Sequence, residues 1–310
     1  MDALGRAVNS TWLHGTVPLA SVSRGFSVAG KRPVGSELRE VRVRIRSVTL
    51  IAVLGLGIPA CYDTTTQVVG PSGPPSGSIL FVTSTNQLVW VEATNPTHVL
   101  GGVALTGTGG PGITTLDYRP ATGELYGFST SNGNLYRIDT STGIVQPVGN
   151  VLTGFTGPQI DLDFSPSADR ARLVSTDEEN ARINPADGKS TFDTDLSAGD
   201  VAGIAYDNNH SGATASTLFG IDITHDQLVR IGGVDGNPSP NGGLVTAIGP
   251  LGLDAGPASA FDIAPDGTAY AALNVNALTS LYQIDLSRGT ATEVGVLGAG
   301  GGVVSMAVVP

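Results

Sequence analysis

Three of the seven arginines in residues 61–310 fall within 13 positions: Arg170, Arg172 and Arg182, with Asn180 close by. A guanidinium is a planar fork of donors that grips carboxylates and phosphates two bonds at a time. Three of them together suit either a buried ladder satisfied by nearby acids, such as Asp161 or Asp163, or a pocket for an anionic or carboxylated ligand. Their placement depends on one turn. If Asp177, Glu178 and Glu179 form a three-residue turn, Thr176 pairs with Asn180. The two-residue period of strands then sets Arg170, Arg172, Asn180, Arg182 and Asn184 on one face, whereas a two-residue turn splits them.

A second set is acidic. Asp117, Asp163 and Asp262 occupy equivalent places in three repeated segments, and Ala205 and Ala307 stand there in two others. Such a column is either a ring of carboxylates at a channel mouth, able to hold a cation or to act as acid and base, or a set of Asx-type acceptors for backbone N–H groups at turns. The run Phe192–Asp200 supplies Asp193, Asp195 and Asp200 but lacks the spacing of a calcium loop, so it reads as a solvated acidic loop. Beyond residue 61 the histidines are His98, His210 and His225. None is spaced to share a metal with another, and neither a nucleophile elbow nor a phosphate loop occurs. No metal and no cofactor is expected.

The third reactive group is Cys61, the only cysteine. It follows a basic stretch with Arg42, Arg44 and Arg46, an apolar run from Val48 to Ile58, and then Pro59 and Ala60. This order is similar to a bacterial lipobox, although Pro59 departs from the usual residue there. The apolar run is short for a membrane span of about 20 residues. An unpaired cysteine in an exported chain is accounted for if its thiol carries acyl chains.

These residues need elements to hold them, and the chain supplies a repeat. The clearest unit, residues 116–149, reads as four short strands (LDYRPATGELYGFSTSNGNLYRIDTSTGIVQPVG). Its first strand recurs as LDFSP, IAYDN, FDIAP and MAVVP at spacings of 46, 42, 57 and 45 residues. Its second recurs as ILFVTS, ARLVST, TLFGID and TAYAAL, and its third as QLVWVE, ENARIN, QLVRIG and SLYQID. Asn132–Gly133 carries the signal of a two-residue hairpin turn. Four strands every 40–50 residues mark a β-propeller. The chain enters at a second strand (Ile79 to Ser84) and ends on a lone first strand (Val303 to Val309), so its two ends make one blade. The expected fold is all-β with five four-stranded blades, or six if the connection Gly232 to Gly243 hides another. Aligned by these fragments, Arg172 stands where other second strands have Leu80, Leu125, Leu218 and Ala269. Asn180 stands where other third strands have Leu88, Leu135, Leu228 and Leu281.

The block DFSPSADRARLVSTDEENARINPADG, the stretch IGPLGLDAGPASAFDI, and GTAYAALN followed by SLYQIDLSRGTATEVG resemble a bacterial family known as domain of unknown function 4394. The resemblance covers nearly all of 79–310. It implies an exported propeller-like domain, with no established activity and no catalytic residues to transfer.

Composition agrees with this division. Gly is abundant at 43 residues and charged residues are scarce at 14%, as in short strands joined by tight turns. Residues 1–60 hold eight basic against three acidic residues, a net +5, and residues 61–310 hold eight against 24, a net −16. A body with Lys189 as its one lysine past residue 61 has no footprint for nucleic acid. We therefore expect a non-structural extension over 1–40, a lipoprotein signal over 41–61, a flexible tether over 62–78 rich in Thr, Ser, Gly and Pro, and a propeller over 79–310. The predicted protein is a monomeric, outer-membrane-anchored lipoprotein, periplasmic or cell-surface. It touches the membrane through its lipid alone and binds or scaffolds a small molecule, glycan or protein. The alternative is an envelope hydrolase or lyase built on the axial carboxylates. Mass spectrometry of protein purified from its native membrane should find the mature N-terminus at Cys61 with acyl mass added. Retention of residues 41–60, or cleavage elsewhere, refutes this assignment.

Overall fold

The structure, a computed structural model, describes residues 73–109, 112–149, 152–257, 260–298 and 302–310. The extension, the signal, Cys61 and the tether up to residue 72 lie outside the described residues. Among the described residues no helix is long and apolar enough to cross a membrane.

Strands form where apolar and small residues run for five or six positions between Gly-, Asn- or Asp-bearing turns. Blade 1 takes β1 (Ile79–Thr83), β2 (Gln87–Glu92) and β3 (Asn95–Ala104). Blade 2 is β4 (Thr115–Arg119), β5 (Glu124–Ser129), β6 (Asn134–Ile138) and β7 (Val145–Pro147). Blade 3 is β8 (Ile160–Ser165), β9 (Arg170–Ser175), β10 (Asn180–Ile183) and β11 (Ser190–Phe192). Blade 4 is β12 (Val201–Tyr206), β13 (Leu218–Asp222), β14 (Gln227–Ile231) and β15 (Val245–Pro250). Blade 5 is β16 (Ala260–Ile263), β17 (Ala269–Val275), β18 (Leu278–Ile284) and β19 (Ala291–Val296). The last strand, β20 (Val303–Val308), pairs antiparallel with β1 and completes blade 1. Each blade is a four-stranded sheet, and the five first strands form a closed ring, β4–β8–β12–β16–β20 and back to β4. The count is five, because Gly232 to Gly243 holds two single 3-10 turns rather than strands.

Two turns differ from expectation. Asn132–Gly133 does not make a two-residue turn, since β5 and β6 close at Ser129↔Asn134 around four residues with only Gly133 left-handed among them. In blade 3 the turn has three residues, as expected, but one position earlier. Ser175 and Glu179 close it, and Glu178 supplies the left-handed third position (φ 68°). The register therefore shifts by two residues, setting Arg172 opposite Arg182 and Asn180 opposite Val174. A shift of two preserves facing, so the five polar residues still share one face.

The core is divided among the five interfaces between blades. Leu80, Leu88 and Trp90 of blade 1 pack with Leu116, Leu125 and Tyr136 of blade 2. Phe128 and Leu135 meet Leu162, Phe164 and Leu173, and Ile221 and Leu228 meet Phe261, Ile263 and Leu273. Ala272 and Leu281 meet Ile79, Phe81 and Met306. The interface of blades 3 and 4 is different: blade 3 contributes Val174 and Leu196 to its apolar cluster, and Arg172 and Asn180 are absent from it. The pairing of Asp163 with Arg172 also corrects the sequence alignment of the second strands by one residue. The positions equivalent to Arg172 are Leu80, Tyr126, Phe219 and Tyr270, not Leu125, Leu218 and Ala269. The ARLVST fragment carries one fewer residue before the shared apolar position, which text alignment cannot register.

β20 buries Val303, Met306, Ala307 and Val308. At about 1.5–3 kcal/mol for each larger apolar side chain, that is a sizeable part of a net stability of about 5–15 kcal/mol. Removing residues 303–310 also bares the edge of β1. The truncated protein should lose its cooperative thermal transition by calorimetry, or aggregate. Melting like the intact chain would show that closure contributes nothing.

Candidate functional site

Two polar centres are built into this ring, one on the axis and one between blades 3 and 4. On the axis, each first strand is paired on one edge only, and its other edge faces the neighbouring first strand with N–H groups unused by the ladder. Side chains of the preceding blade accept them. Leu116 N–H donates to Ser305 Oγ (3.1 Å), Leu162 N–H to Thr115 Oγ1 (2.9 Å) and Phe164 N–H to Asp117 Oδ2 (2.7 Å). Ile204 N–H donates to Asp161 Oδ2 (2.9 Å), Tyr206 N–H to Asp163 Oδ1 (3.1 Å) and Val308 N–H to Asp262 Oδ2 (2.6 Å). Blade 4 offers Gly203 and Ala205 instead of an acceptor. An added Cβ at Gly203 would lie 3.0 Å from that of Phe261, so here the strands touch, and Asn209 Nδ2 bonds Ile263 O (2.9 Å).

Asp117, Asp163 and Asp262 are only 1–2% exposed, and one oxygen of each lies within 4.8 Å of the others'. They are the set of described residues whose spacing could accept a hard cation. They are buried, and their acceptor role runs between blades rather than within turns. Burial raises all four axial carboxyls: Asp161 and Asp262 to about 7, and Asp117 and Asp163 well above the usual carboxylate range, with neighbouring aspartates adding to the effect. Close carboxylates in a dry site share protons.

In the second centre, Arg172 of β9 is 2% exposed. Its Nε donates to Tyr206 Oη (2.8 Å), its Nη1 to Asn180 Oδ1 and to Asp193 Oδ2 (3.2 Å), and its Nη2 to Asn241 Oδ1 (2.5 Å). Asn180 Nδ2 donates to Thr194 O and Pro240 O (3.0 and 3.1 Å). Arg182 holds Asp193 with two bonds, Nε to Oδ2 (2.7 Å) and Nη2 to Oδ1 (2.8 Å). Asp193 is thus the buried partner acid, its side chain 6% exposed, while Asp195 and Asp200 of the same run are exposed as expected of an acidic loop. Asp161 and Asp163, the acids expected to pair with the arginines, point to the axis instead.

Beside this network a cleft of about 220 Å³ opens between the two blades. Arg170, Arg172 and Arg182 line it from blade 3, and Tyr206, Asp235 and Asn241 from blade 4. Of the sequence-predicted ligand residues it gathers the three arginines, whereas Asn180 lies behind them, wholly buried. Tyr206 and Asn241 escaped sequence reading, and Asp193 figures there only as one acid of an exposed run, not as the partner of Arg172 and Arg182. The one signal for Asn241 was the unusual length of Gly232 to Gly243.

The chain is thus a five-bladed β-propeller with carboxyls on its axis and a polar cleft between blades 3 and 4. Residues 87–307 match the family described as Domain of unknown function (DUF4394), and the chain belongs to that family. No curated protein sequence matches it. Among solved structures it is similar to a protein of unknown function from Bacteroides thetaiotaomicron (11% identity, 72% of this chain and 60% of that one, TM-score 0.45), so it spans about 60% of that relative's length. It is also similar to a chain of a nidogen/laminin complex (10% identity, 75% and 98% coverage, TM-score 0.50) and to an auxiliary nutrient binding protein from Bacteroides thetaiotaomicron (14%, 62% and 55%, TM-score 0.39). At such identities the likeness is one of fold alone.

The axial carboxyls give a signed prediction. Their folded pKa values lie above the ordinary value of 3.8, so the folded state holds extra protons, and stability is lost as pH rises through about 7. Each extra proton is worth about 1.4 kcal/mol per pH unit. The melting temperature should rise by several degrees from pH 8 to pH 5.5. Asp163→Asn, which keeps the acceptor for Tyr206 N–H, should melt higher at pH 8 and with a shallower pH slope. A melting temperature that falls over this range, or an unchanged slope in the variant, contradicts the account.

Proposed function

We propose that the propeller is the binding module of an exported lipoprotein, and that the cleft between blades 3 and 4 takes a small ligand bearing a carboxylate. The observation that carries this reading is the convergence of Arg170, Arg172 and Arg182 on one cleft in a body of net charge −16. Arg172 and Arg182 are balanced by Asp193 alone. Arg170 donates to the Asp169 carbonyl through Nη1 (2.8 Å), and no other bond of its guanidinium is made among the described residues. Arg172 forms the buried floor and holds the walls in place, while Arg170 and the Nη1 of Arg182, which is 32% exposed, keep donors for a guest. At about 220 Å³ the cleft is smaller than the ~300–1,000 Å³ of drug-sized sites, which suits a metabolite of a few heavy atoms. The basic, apolar and cysteine segments of residues 41–61 support export and acylation, which would hold the module at the envelope.

Titration calorimetry at low salt with acetate, propionate, lactate and succinate tests the reading. At least one should bind, with affinity falling as salt rises. Arg170→Gln should weaken that binding at least tenfold, since a charge-assisted pair is worth about 1.5–3 kcal/mol. If no carboxylate binds, or the variant binds as well as the parent, the assignment fails.

A further inference from the structure

The cleft has a second pole. Its blade 4 wall carries Asp235, in the turn Val234–Gly236, whose carboxylate makes no hydrogen bond or ion pair with any described residue. The side chain is exposed, but the backbone beneath it is fixed. Asp235 N–H donates to Thr217 Oγ1 (3.0 Å), Gly233 N–H to Pro238 O (2.7 Å), and the far end of the loop is held by Arg172 on Asn241 and by Asn180 on Pro240 O. The residue sits in the left-handed region (φ 53°), which Asp tolerates better than most side chains but which still needs a supporting frame.

Resting on the carboxylate reading of this cleft, we infer that it is a zwitterion site, taking a small amino acid whose carboxylate meets Arg170 and Arg182 and whose ammonium meets Asp235. Opposite charges border one cavity without an ion pair between them among the described residues, and the complement of such a pair is a ligand carrying both signs. Asp207 adds to the same pull: burial raises its carboxyl, and the neighbouring Asp235 charge raises it further. An ammonium beside Asp235 relieves that repulsion. A second anionic group on the ligand would instead meet like charge, which disfavours dicarboxylates and phosphates. Lining hydroxyls, with Ser167 and Ser216 already bonded to one another (3.0 Å), favour a short or hydroxylated side chain.

Matched probes separate this inference from the reading beneath it. Alanine and lactate, serine and glycerate are near-isosteric pairs in which a hydroxyl replaces the ammonium, and ethanolamine lacks the carboxylate. Calorimetry on the full chain should show alanine binding at least tenfold more tightly than lactate, serine at least tenfold more tightly than glycerate, and no detectable heat with ethanolamine. Asp235→Asn, an exposed change to a residue that accepts left-handed backbone, should collapse the serine and glycerate affinities to one value. Equal affinities in the parent protein, or a serine advantage that survives in Asp235→Asn, overturn the zwitterion site and leave a carboxylate site standing. Failure of every carboxylate, amino acids included, overturns both.

Discussion

A propeller has an unpaired edge at its centre. Each first strand uses one side for its own blade and turns the other toward the next blade, at a distance set by packing rather than by a ladder. Buried N–H groups left there would each cost about 1–3 kcal/mol. Here the deficit is met by short acceptors projecting from the preceding strand: Ser305, Thr115, Asp117, Asp161, Asp163 and Asp262. This one interaction fixes the height of each blade relative to the next, and every interface outside it inherits that alignment. Where the acceptor is missing, at Gly203 and Ala205, close backbone approach replaces it.

The choice of aspartate brings a cost that serine and threonine do not. Three carboxyls converge within 4.8 Å and form no ion pair with an arginine among the described residues, and burial raises their pKa values, which favours proton retention on the axis. The blade 3–4 interface solves the same electrostatic problem the other way, with Asp193 neutralised by two arginines. The acids nearest the axis are not the partners of the arginines, although sequence distance favours them: Asp163 lies opposite Arg172 on the same face, but Asp161 and Asp163 accept the Ile204 and Tyr206 N–H groups, while Arg172, one strand farther out, reaches Tyr206 Oη, Asp193 and Asn241.

The repeat made the architecture legible. Period, strand types and the split blade at the chain ends follow from residues recurring at fixed places, and closure by β20 was readable from the fragment order. The column Asp117, Asp163, Asp262 was visible for the same reason. Its role was not, since hydrogen bonding between blades depends on the relative height of strands far apart in sequence. The alignment that singled out Arg172 was one residue out, yet it identified the odd blade correctly. A polar residue replaced an apolar one whether Leu125 or Tyr126 is its counterpart. Asn241 lies 69 residues from Arg172, and no local pattern announces that pair.

That exchange of apolar for polar residues also explains why a cleft exists at this interface. Leu88, Leu135, Leu228 and Leu281 are sealed against neighbouring side chains to 0–1% exposure, because apolar surfaces have no directional requirement and close to native packing density. Arg172 and Asn180 need partners at fixed angles, and they find them by drawing the loop containing Pro240 and Asn241 over from blade 4. A loop held by hydrogen bonds at two points does not fill the volume beneath it as interdigitating leucines would. The remaining space is bordered by the arginine that helped recruit the loop, so the cleft and its polarity arise from one pair of substitutions in the repeat.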